Sequence, residues 1–191
     1  MVAGVEFLDY VKHMPIDYFH IITPPVVAYV NHLHVPDIGG PDSDDRYKIT
    51  ILISKQDSAC IKEFVDASHA AAQLEWPTSW DKVLNMPLHD GIDKCASWDQ
   101  LADYLMCTFN SFHPPLLQMP DGSLMPRSVE IAIGASVRVF GAMGGCMVNG
   151  EKTVECYLSG VQLLNDTPIS TENRSVYDRL EKIVERFSPW R

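Results

Sequence analysis

The sequence predicts a mainly β fold, a small barrel or sandwich with one inserted helix. Five segments have the composition of strands, and turn-forming residues separate most of them. A single stretch with helical periodicity lies between the second and third of these segments. With 191 residues, of which 46% are hydrophobic, the chain is long enough for one domain with a buried core. This order of strands and helix favours a barrel or sandwich.

The first two strands flank a polar loop. Residues 24–35 (PPVVAYVNHLHV) are rich in β-branched residues, and the following PDIGGPDSDD consists of turn-forming residues. Residues 46–55 (RYKITILISK) alternate, with Tyr47 and three isoleucines on one face. We therefore predict a half-buried strand here, with Lys48 on its outer face.

The helix is predicted from about residue 58 to Trp76. Asp57 or Ser58 can cap its first turn, and Pro77 stops it. Its expected apolar positions are Ile61, Phe64, Val65 and Ala72.

Three further strands follow, and the last segment is helical. Residues 103–115 end at a double proline, and residues 128–145 form a long strand in which Gly134 suggests a bulge. The stretch GAMGGCMVNGEK is predicted as a glycine hairpin leading into residues 153–164. Residues 170–187 place apolar side chains on one helical stripe, which predicts an amphipathic C-terminal helix.

Aromatic and basic side chains are expected together on the outer face of the sheet. If Val137 and Val139 are core, alternation turns Arg138 and Phe140 outward. The same reasoning turns Tyr157 outward, whereas either face of residues 104–112 exposes an aromatic residue. Outward aromatics beside cations suit single-stranded nucleic acid, because bases stack and phosphates need cations. The alternative is that these rings pack beneath the terminal helix or in a protein interface.

The charge of the chain is strongly acidic but uneven. A net charge of −10 argues against a nucleic-acid partner if it is taken alone. Residues 46–56, however, carry Arg46, Lys48 and Lys55 with no acid, and residues 127–152 carry three bases against two acids. The acidity therefore lies mostly outside the two best strand-forming stretches.

Metal, disulfide and catalytic sites are weakly indicated. The five cysteines include no C-x-x-C pair, so buried free thiols are expected. His32 and His34 would share one face of a strand, but no nearby third ligand completes a zinc site. Cys146 lies in a glycine-rich stretch that lacks the lysine of a phosphate-binding loop, and no histidine is near it in sequence. We predict no metal, no cofactor and no catalytic residue.

Five stretches of the chain, taken in order, span about residues 24–167. They are VVAYVNHLHVPD, DDRYKITILISKQD, PLHDGIDK, VEIAIGASVRVFGAMG and VECYLSGVQLLNDT. The most specific pieces are a tyrosine-led strand ending in Ile-Ser-Lys, a Pro-Leu-x-Asp-Gly loop and a Gly-Val-Gln strand end. Together these stretches resemble one family, the phage single-stranded-DNA-binding proteins once catalogued as an uncharacterised phage domain.

The resemblance implies a five-stranded OB-fold barrel with an inserted helix, which coats single-stranded DNA in phage replication, recombination or repair. It implies three regions: an N-terminal extension (1–22), the OB-fold DNA-binding domain (23–167) and a C-terminal helical extension (168–191). Arg138 would pair with phosphate and Phe140 would stack on a base. The expected nucleic-acid-binding residues are Lys48, Lys55, Tyr104, Phe112, Arg127, Arg138, Phe140, Lys152 and Tyr157.

The chain departs from the family pattern at both ends. Residues 1–22 have no clear counterpart, and the chain ends in EKIVERFSPWR where such binders commonly carry an acidic tail. We therefore do not expect recruitment of enzymes through a tail.

Three functions remain open from the sequence. The first is a non-enzymatic single-stranded-DNA-binding protein, with replication and recombination proteins of phage or host as candidate partners and a homodimer left open. The second is a phage structural or protein-interaction module, and the third is a small hydrolase. No apolar run approaches the roughly eighteen residues of a membrane helix, and acids stand where a signal peptide would be basic. We expect the cytoplasm of an infected bacterium and no membrane contact.

Overall fold

The structure is a computed structural model that describes residues 18–37, 45–83, 85–91 and 101–165. These residues form strands, one long helix (α1, Ser58–Glu75) and a 3-10 turn at Trp80–Lys82. The strands are β1 (Phe19–Ile22), β2 (Val26–His32), β3 (Tyr47–Ser54), β4 (His89–Asp90), β5 (Tyr104–Ser111), β6 (Leu116–Gln118), β7 (Ser136–Val148) and β8 (Glu151–Asn165). The predicted N-terminal extension, except its last residues, and the predicted C-terminal helix lie outside the described residues.

Five of the strands close into a barrel in the order β2-β3-β5-β8-β7. The ring closes where Val26 pairs with Val137 and Val27 with Ser136. β5 and β8 run parallel, and the other neighbours in the ring are antiparallel. Numbered along the chain, the barrel strands have the spatial order 1-2-3-5-4, which is a Greek-key barrel of the OB-fold. The predicted fold class is confirmed.

The barrel interior is filled by alternate residues of the strands. Ile49 and Ile51 of β3, Phe109 of β5 and Val139 of β7 are almost fully buried. The ring of Phe109 meets that of Phe64 edge to face, with centroids 6.3 Å apart. Because Phe64 lies on α1, this contact joins the helix to the barrel interior.

Helix α1 matches its predicted bounds. The Asp57 side chain accepts a hydrogen bond from the Cys60 N–H at 3.0 Å, which caps the first turn. Phe64 and Ala72 are buried as expected, and Ile61 is partly buried against the core. Val65 was expected in the apolar stripe, but it is exposed because the buried face of the helix runs through Cys60, Phe64, Ala67 and Ala71.

The glycine-rich stretch corrects the predicted hairpin. Residues 141–148 belong to β7, and the turn comes later, at Asn149–Gly150, both of which have positive φ. This is the backbone of a tight two-residue hairpin turn. A Cβ at Gly144 would overlap the Tyr18 ring, and one at Gly145 would overlap Glu75. The glycines therefore allow neighbouring elements to approach β7 closely.

The structure differs from the sequence prediction at two other places. β7 begins at Ser136 rather than near residue 128, after a turn at residues 133–134. Strand β1 was not predicted, and it pairs with residues 140–143 of β7. The predicted extension therefore contributes residues 19–22 to the sheet.

Candidate nucleic-acid interface

The outer face of β3 and β5 is the second-and-third-strand face of the barrel, the one on which OB-folds bind oligonucleotides. Alternation turns Ile49 and Ile51 inward, so the residues between them face outward. Directly opposed pairs on this face are Lys48 with Asn110, Thr50 with Thr108, and Leu52 with Met106. The two threonine hydroxyls are 2.9 Å apart and share a hydrogen bond. This face is mainly polar in the middle and basic at the Lys48 end.

Arg46 and Phe112 form the centre of the basic end. The Arg46 Nη1 donates to Asn110 Oδ1 at 2.7 Å, and its guanidinium carbon lies 4.3 Å from the Phe112 ring centroid. The same Nη1 lies 3.8 Å from Glu155 Oε2. Phe112 is 67% exposed, so a ring already flanked by a cation remains open to solvent. Such a pair offers a stacking surface for a base and a partner for a phosphate.

Lys48 lies next to this cluster and is also ion-paired. Its Nζ is 2.5 Å from Asp37 Oδ2, and both side chains are partly exposed. A hydrogen bond from Lys48 lowers the pKa of Asp37 below its usual value. A phosphate approaching Lys48 would compete with this carboxylate.

Tyr157 lies beside the cluster on β8, where it pairs with Asn110. Its ring meets that of Tyr18 edge to face, with centroids 5.0 Å apart. Burial, with nearby Cys146 and Glu155, raises the pKa of Tyr157 to about 12. Tyr157 is only partly exposed, so it borders the Arg46 cluster and does not offer an open ring.

Lys55 and Tyr104 lie at the opposite end of β3 and β5. The Lys55 Nζ is 2.7 Å from Asp90 Oδ2. Tyr104 is half-buried against a small apolar cluster that includes Tyr29 and Leu52. Burial and the charge of Asp103 raise the pKa of the Tyr104 hydroxyl. Arg46 directly precedes β3 and Lys55 directly follows it, so Lys55 and Tyr104 lie at the other end of the strand pair from Arg46.

Phe140 requires a correction. Val137 and Val139 are fully buried as expected, but Phe140 is only 8% exposed as well. The register of β7 against β8 shifts between Phe140 and Gly141, and Ile22 of β1 pairs with Phe140 on the other side. Phe140 is therefore buried, and the expectation that its ring points into solvent is wrong.

The contacts of Arg138 and Lys152 are with residues outside the Arg46 cluster, and Arg127 borders a different cavity. Arg138 is half-buried on β7, and its Nη1 is 3.5 Å from Gln162 Oε1. Arg127 is exposed at the edge of an apolar cavity of about 640 Å³. Lys152 lies over the Trp76 ring at 5.3 Å and donates to the Ser79 carbonyl at 3.2 Å. These contacts give Lys152 a packing role between the β7–β8 hairpin and the end of α1.

Sequence reasoning missed Arg46 as a site residue. Arg46 opens the predicted strand 46–55 and its acid-free segment was noted, but faces were assigned only from Tyr47 onward, and only Lys48 and Lys55 of this segment were expected to bind DNA. Its contacts with Asn110, Phe112 and Glu155 come from residues at least 64 positions away along the chain. A single sequence carries no signal for such contacts.

A cavity of about 330 Å³ opens on the same face of the barrel. One wall is formed by Thr50, Thr108 and Asn110, and another by Thr153 and Glu155 of β8. The segment from Asn85 to His89 closes the remaining side. The Arg46 cluster lies at its edge, because Asn110 and Glu155 belong to both.

The described part of the chain contains no group of three or more side chains suited to a metal ion. His32 and His34 were expected to share a strand face. The Nε2 atom of His34 is hydrogen-bonded to the Val129 carbonyl oxygen, 2.7 Å away. Cys60, Cys107 and Cys156 are buried free thiols, as expected, and Cys146 is partly exposed. Burial and the charge of Glu155 raise the pKa of Cys146, which disfavours the nucleophilic thiolate.

A family model described as "Enterobacter phage Enc34, ssDNA-binding protein" matches residues 19–183. The chain belongs to this Enc34 family. The match covers all the strands above, including β1. No curated protein matches the chain.

Solved structures similar to this member of the Enc34 family include proteins of two phages. The single-stranded DNA-binding protein from bacteriophage Enc34, in complex with ssDNA, has a TM-score of 0.63 at 17% identity, covering 80% of this chain and 90% of that one. The crystal structure of gp2.5, a single-stranded DNA binding protein encoded by bacteriophage T7, has a TM-score of 0.52 at 16% identity, covering 81% and 94%. At these identities the likeness establishes the shared barrel fold.

Proposed function

We propose that the chain is a non-enzymatic single-stranded-DNA-binding protein that coats DNA during phage replication, recombination or repair. Its place of action would be the cytoplasm of the infected bacterium. The observation that carries the proposal is the Arg46–Phe112 pair on the outer face of β3 and β5, the face on which OB-folds bind oligonucleotides. Membership of the Enc34 family supports it.

Complementary roles for these residues follow from the proposal. The exposed Phe112 ring would stack on a base, which is worth about 1–3 kcal/mol per base. Arg46, oriented by Asn110, would contact a phosphate through the positive charge of its guanidinium. Lys48 would add a second phosphate contact after exchanging Asp37 for DNA. None of these contacts depends on the identity of the base, so binding at this end is sequence-tolerant.

The acidic body is compatible with this function. Net charge acts over the whole surface and is screened within about 10 Å at moderate salt, whereas phosphate contacts form within hydrogen-bond distance of Arg46 and Lys48. The −10 charge would instead weaken long-range attraction and discourage binding elsewhere on the surface.

The two other functions have less support. An interaction module would also use exposed aromatics, but family membership does not favour it. A hydrolase based on Cys146 would need an activated thiolate, and the raised pKa of this thiol opposes that. No helix of the described residues is long and apolar enough to cross a membrane. Replication and recombination proteins as partners, and a homodimer, remain predictions.

Fluorescence anisotropy of a labelled oligo-dT, titrated at several salt concentrations, tests the proposal. We expect saturable binding that weakens with salt, with a log–log slope of about −0.7 per phosphate contacted. Absence of binding, or a flat salt response, would contradict it. Treatment with EDTA and the Cys146→Ser variant serve as controls, and neither should change the affinity.

A further inference from the structure

The cavity beside the Arg46 cluster has a chemical character different from the rest of the face. Its volume of about 330 Å³ lies at the small end of the range for small-molecule sites, roughly 300–1,000 Å³. It therefore suits one planar group rather than a stretch of backbone. Threonine hydroxyls, amides and one carboxylate line it, together with apolar atoms of Met86 and Met106.

Glu155 is the charged group of the β8 wall. Its carboxylate can only accept hydrogen bonds. The Arg46 Nη1 is 3.8 Å from Oε2, beyond hydrogen-bond distance, so this ion pair leaves acceptor capacity on the carboxylate. The side chain is 28% exposed, which keeps it accessible to a group entering the cavity.

The other walls hold this arrangement in place. Asn110 accepts from Arg46 through Oδ1, and the Thr50 and Thr108 hydroxyls bond to each other. Asn85 Nδ2 donates to Glu151 at 3.1 Å, and the backbone N–H of Val154 donates to the Asn85 carbonyl at 3.0 Å. These bonds tie the segment around Asn85 to β8, so the cavity is formed before any ligand binds.

We propose that this cavity is a nucleobase subsite that favours a base with an exocyclic amino group, cytosine over uracil or thymine. The inference rests on the proposed DNA-binding function and adds one selective position to a largely tolerant surface. The N4 amino group of cytosine would donate to Glu155, a pairing used for reading cytosine in duplex DNA. Uracil and thymine present a carbonyl at the same ring position, and its oxygen would face the carboxylate without a proton between them.

Arg46 makes the base-in-cavity orientation the favoured one. A phosphate placed in the cavity would meet the negative charge of Glu155, whereas a phosphate at the mouth would meet Arg46. The strand would therefore run past Arg46 and Phe112 with one base turned into the cavity. Glu155 then acts as a specificity-determining residue that also repels backbone from the subsite.

Two oligonucleotides that differ only in the pyrimidine test this. Oligo-dC and oligo-dU of equal length exchange the 4-amino group for a carbonyl and the N3 acceptor for an N3–H donor, with almost no change of shape. Because a hydrogen bond to a charged group is stronger than one between neutral groups, we expect dC to bind about tenfold more tightly than dU, at slightly alkaline pH. In Glu155→Gln the ratio should fall to about one, because an amide both donates and accepts.

The matched control is Glu75→Gln. Glu75 is exposed at the end of α1 and, like Glu155, raises the pKa of Cys146 through its charge, but it does not line the cavity. Both variants lose one negative charge near β7 and β8, so a general rise in affinity should appear in both. Only Glu155→Gln should change the dC-to-dU ratio.

The outcomes separate the two proposals. Equal affinity of the wild-type protein for dC and dU, or an unchanged ratio in Glu155→Gln, would overturn the subsite while leaving DNA binding intact. Failure to bind either oligonucleotide would overturn the proposed function and the subsite with it. Thermal melts of both variants should match the wild type, since both carboxylates are at least partly exposed.

Discussion

The guanidinium carbon of Arg46 lies 4.3 Å from the ring centroid of Phe112, and the same guanidinium donates to Asn110 at 2.7 Å. Cation and ring are therefore fixed relative to one another before a ligand arrives. Side-chain ordering costs about 0.5–1.5 kcal/mol per flexible side chain on binding, and a pre-oriented arginine avoids part of this cost. Arg46 and Phe112 should act as a unit.

Replacing Phe112 by alanine should weaken binding of single-stranded DNA without unfolding the protein. The ring is 67% exposed, so its removal leaves no cavity and should shift the melting temperature by only a few degrees. Loss of one stacking platform should weaken affinity by about 1–3 kcal/mol. Anisotropy titrations and thermal melts measure both effects, and unchanged affinity would remove Phe112 from the interface.

Phe140→Ala removes a buried phenylalanine ring and is the control for Phe112→Ala. We expect it to destabilise the protein without weakening DNA binding. Its side chain is 8% exposed, so truncation should cost about 3–5 kcal/mol of stability through lost burial and a residual cavity. The folded fraction should keep its DNA affinity. A variant that melts normally but binds poorly would return Phe140 to the binding surface.

Two substitutions of Arg46 separate the contribution of its positive charge to DNA binding from that of its planar guanidinium. Arg46→Ala should weaken binding and flatten the salt dependence by about 0.7 of a log–log unit, the share of one phosphate contact. Arg46→Lys keeps the charge but loses the planar fork, so it should preserve the slope while losing affinity. If the two variants have the same slope, Arg46 does not contact phosphate.

Alkaline pH should destabilise the wild-type protein partly through Tyr157. Burial raises the pKa of its hydroxyl from 10.0 to about 12, so the folded chain holds this proton more tightly than the unfolded chain. The resulting stabilisation is present below about pH 10 and is lost as the pH rises to about 12. Denaturant unfolding of Tyr157→Phe should show a shallower loss of stability across that window. Parallel curves for the two proteins would contradict the burial of this hydroxyl.

Local patterns in the sequence predicted strands and helix ends where residues close together in the chain determine them. The alternation of Ile49, Ile51 and Ile53 predicted β3 and its buried face, and Asp57 and Pro77 predicted the limits of α1. The expected exposure of Phe140 was wrong, because alternation assigns a face to a side chain but does not show what covers that face in the folded chain. No local pattern in the sequence signals this burial.

The candidate site was predicted only in part, because local patterns suggest single residues but not the contacts between them in the folded chain. Lys48 and Phe112 were expected from their strands, and the structure places both near Arg46 on one face. Lys152 was expected at the interface as a basic residue, but its contacts with Trp76 and Ser79 come from the fold of the hairpin onto α1. Charge and type predict candidates, and only tertiary contacts decide which cations remain near the face.

Photo-crosslinking of an oligonucleotide containing 5-iodouracil, followed by mapping of the modified peptides, tests most directly where DNA binds. The proposed binding face predicts cross-links at Phe112, with Tyr157 as a neighbouring site. Trp76 and Trp80 pack against the hydrophobic core at and beyond the end of α1, and they should remain unmodified. Cross-links concentrated on those tryptophans, with none at Phe112, would contradict the proposed binding face.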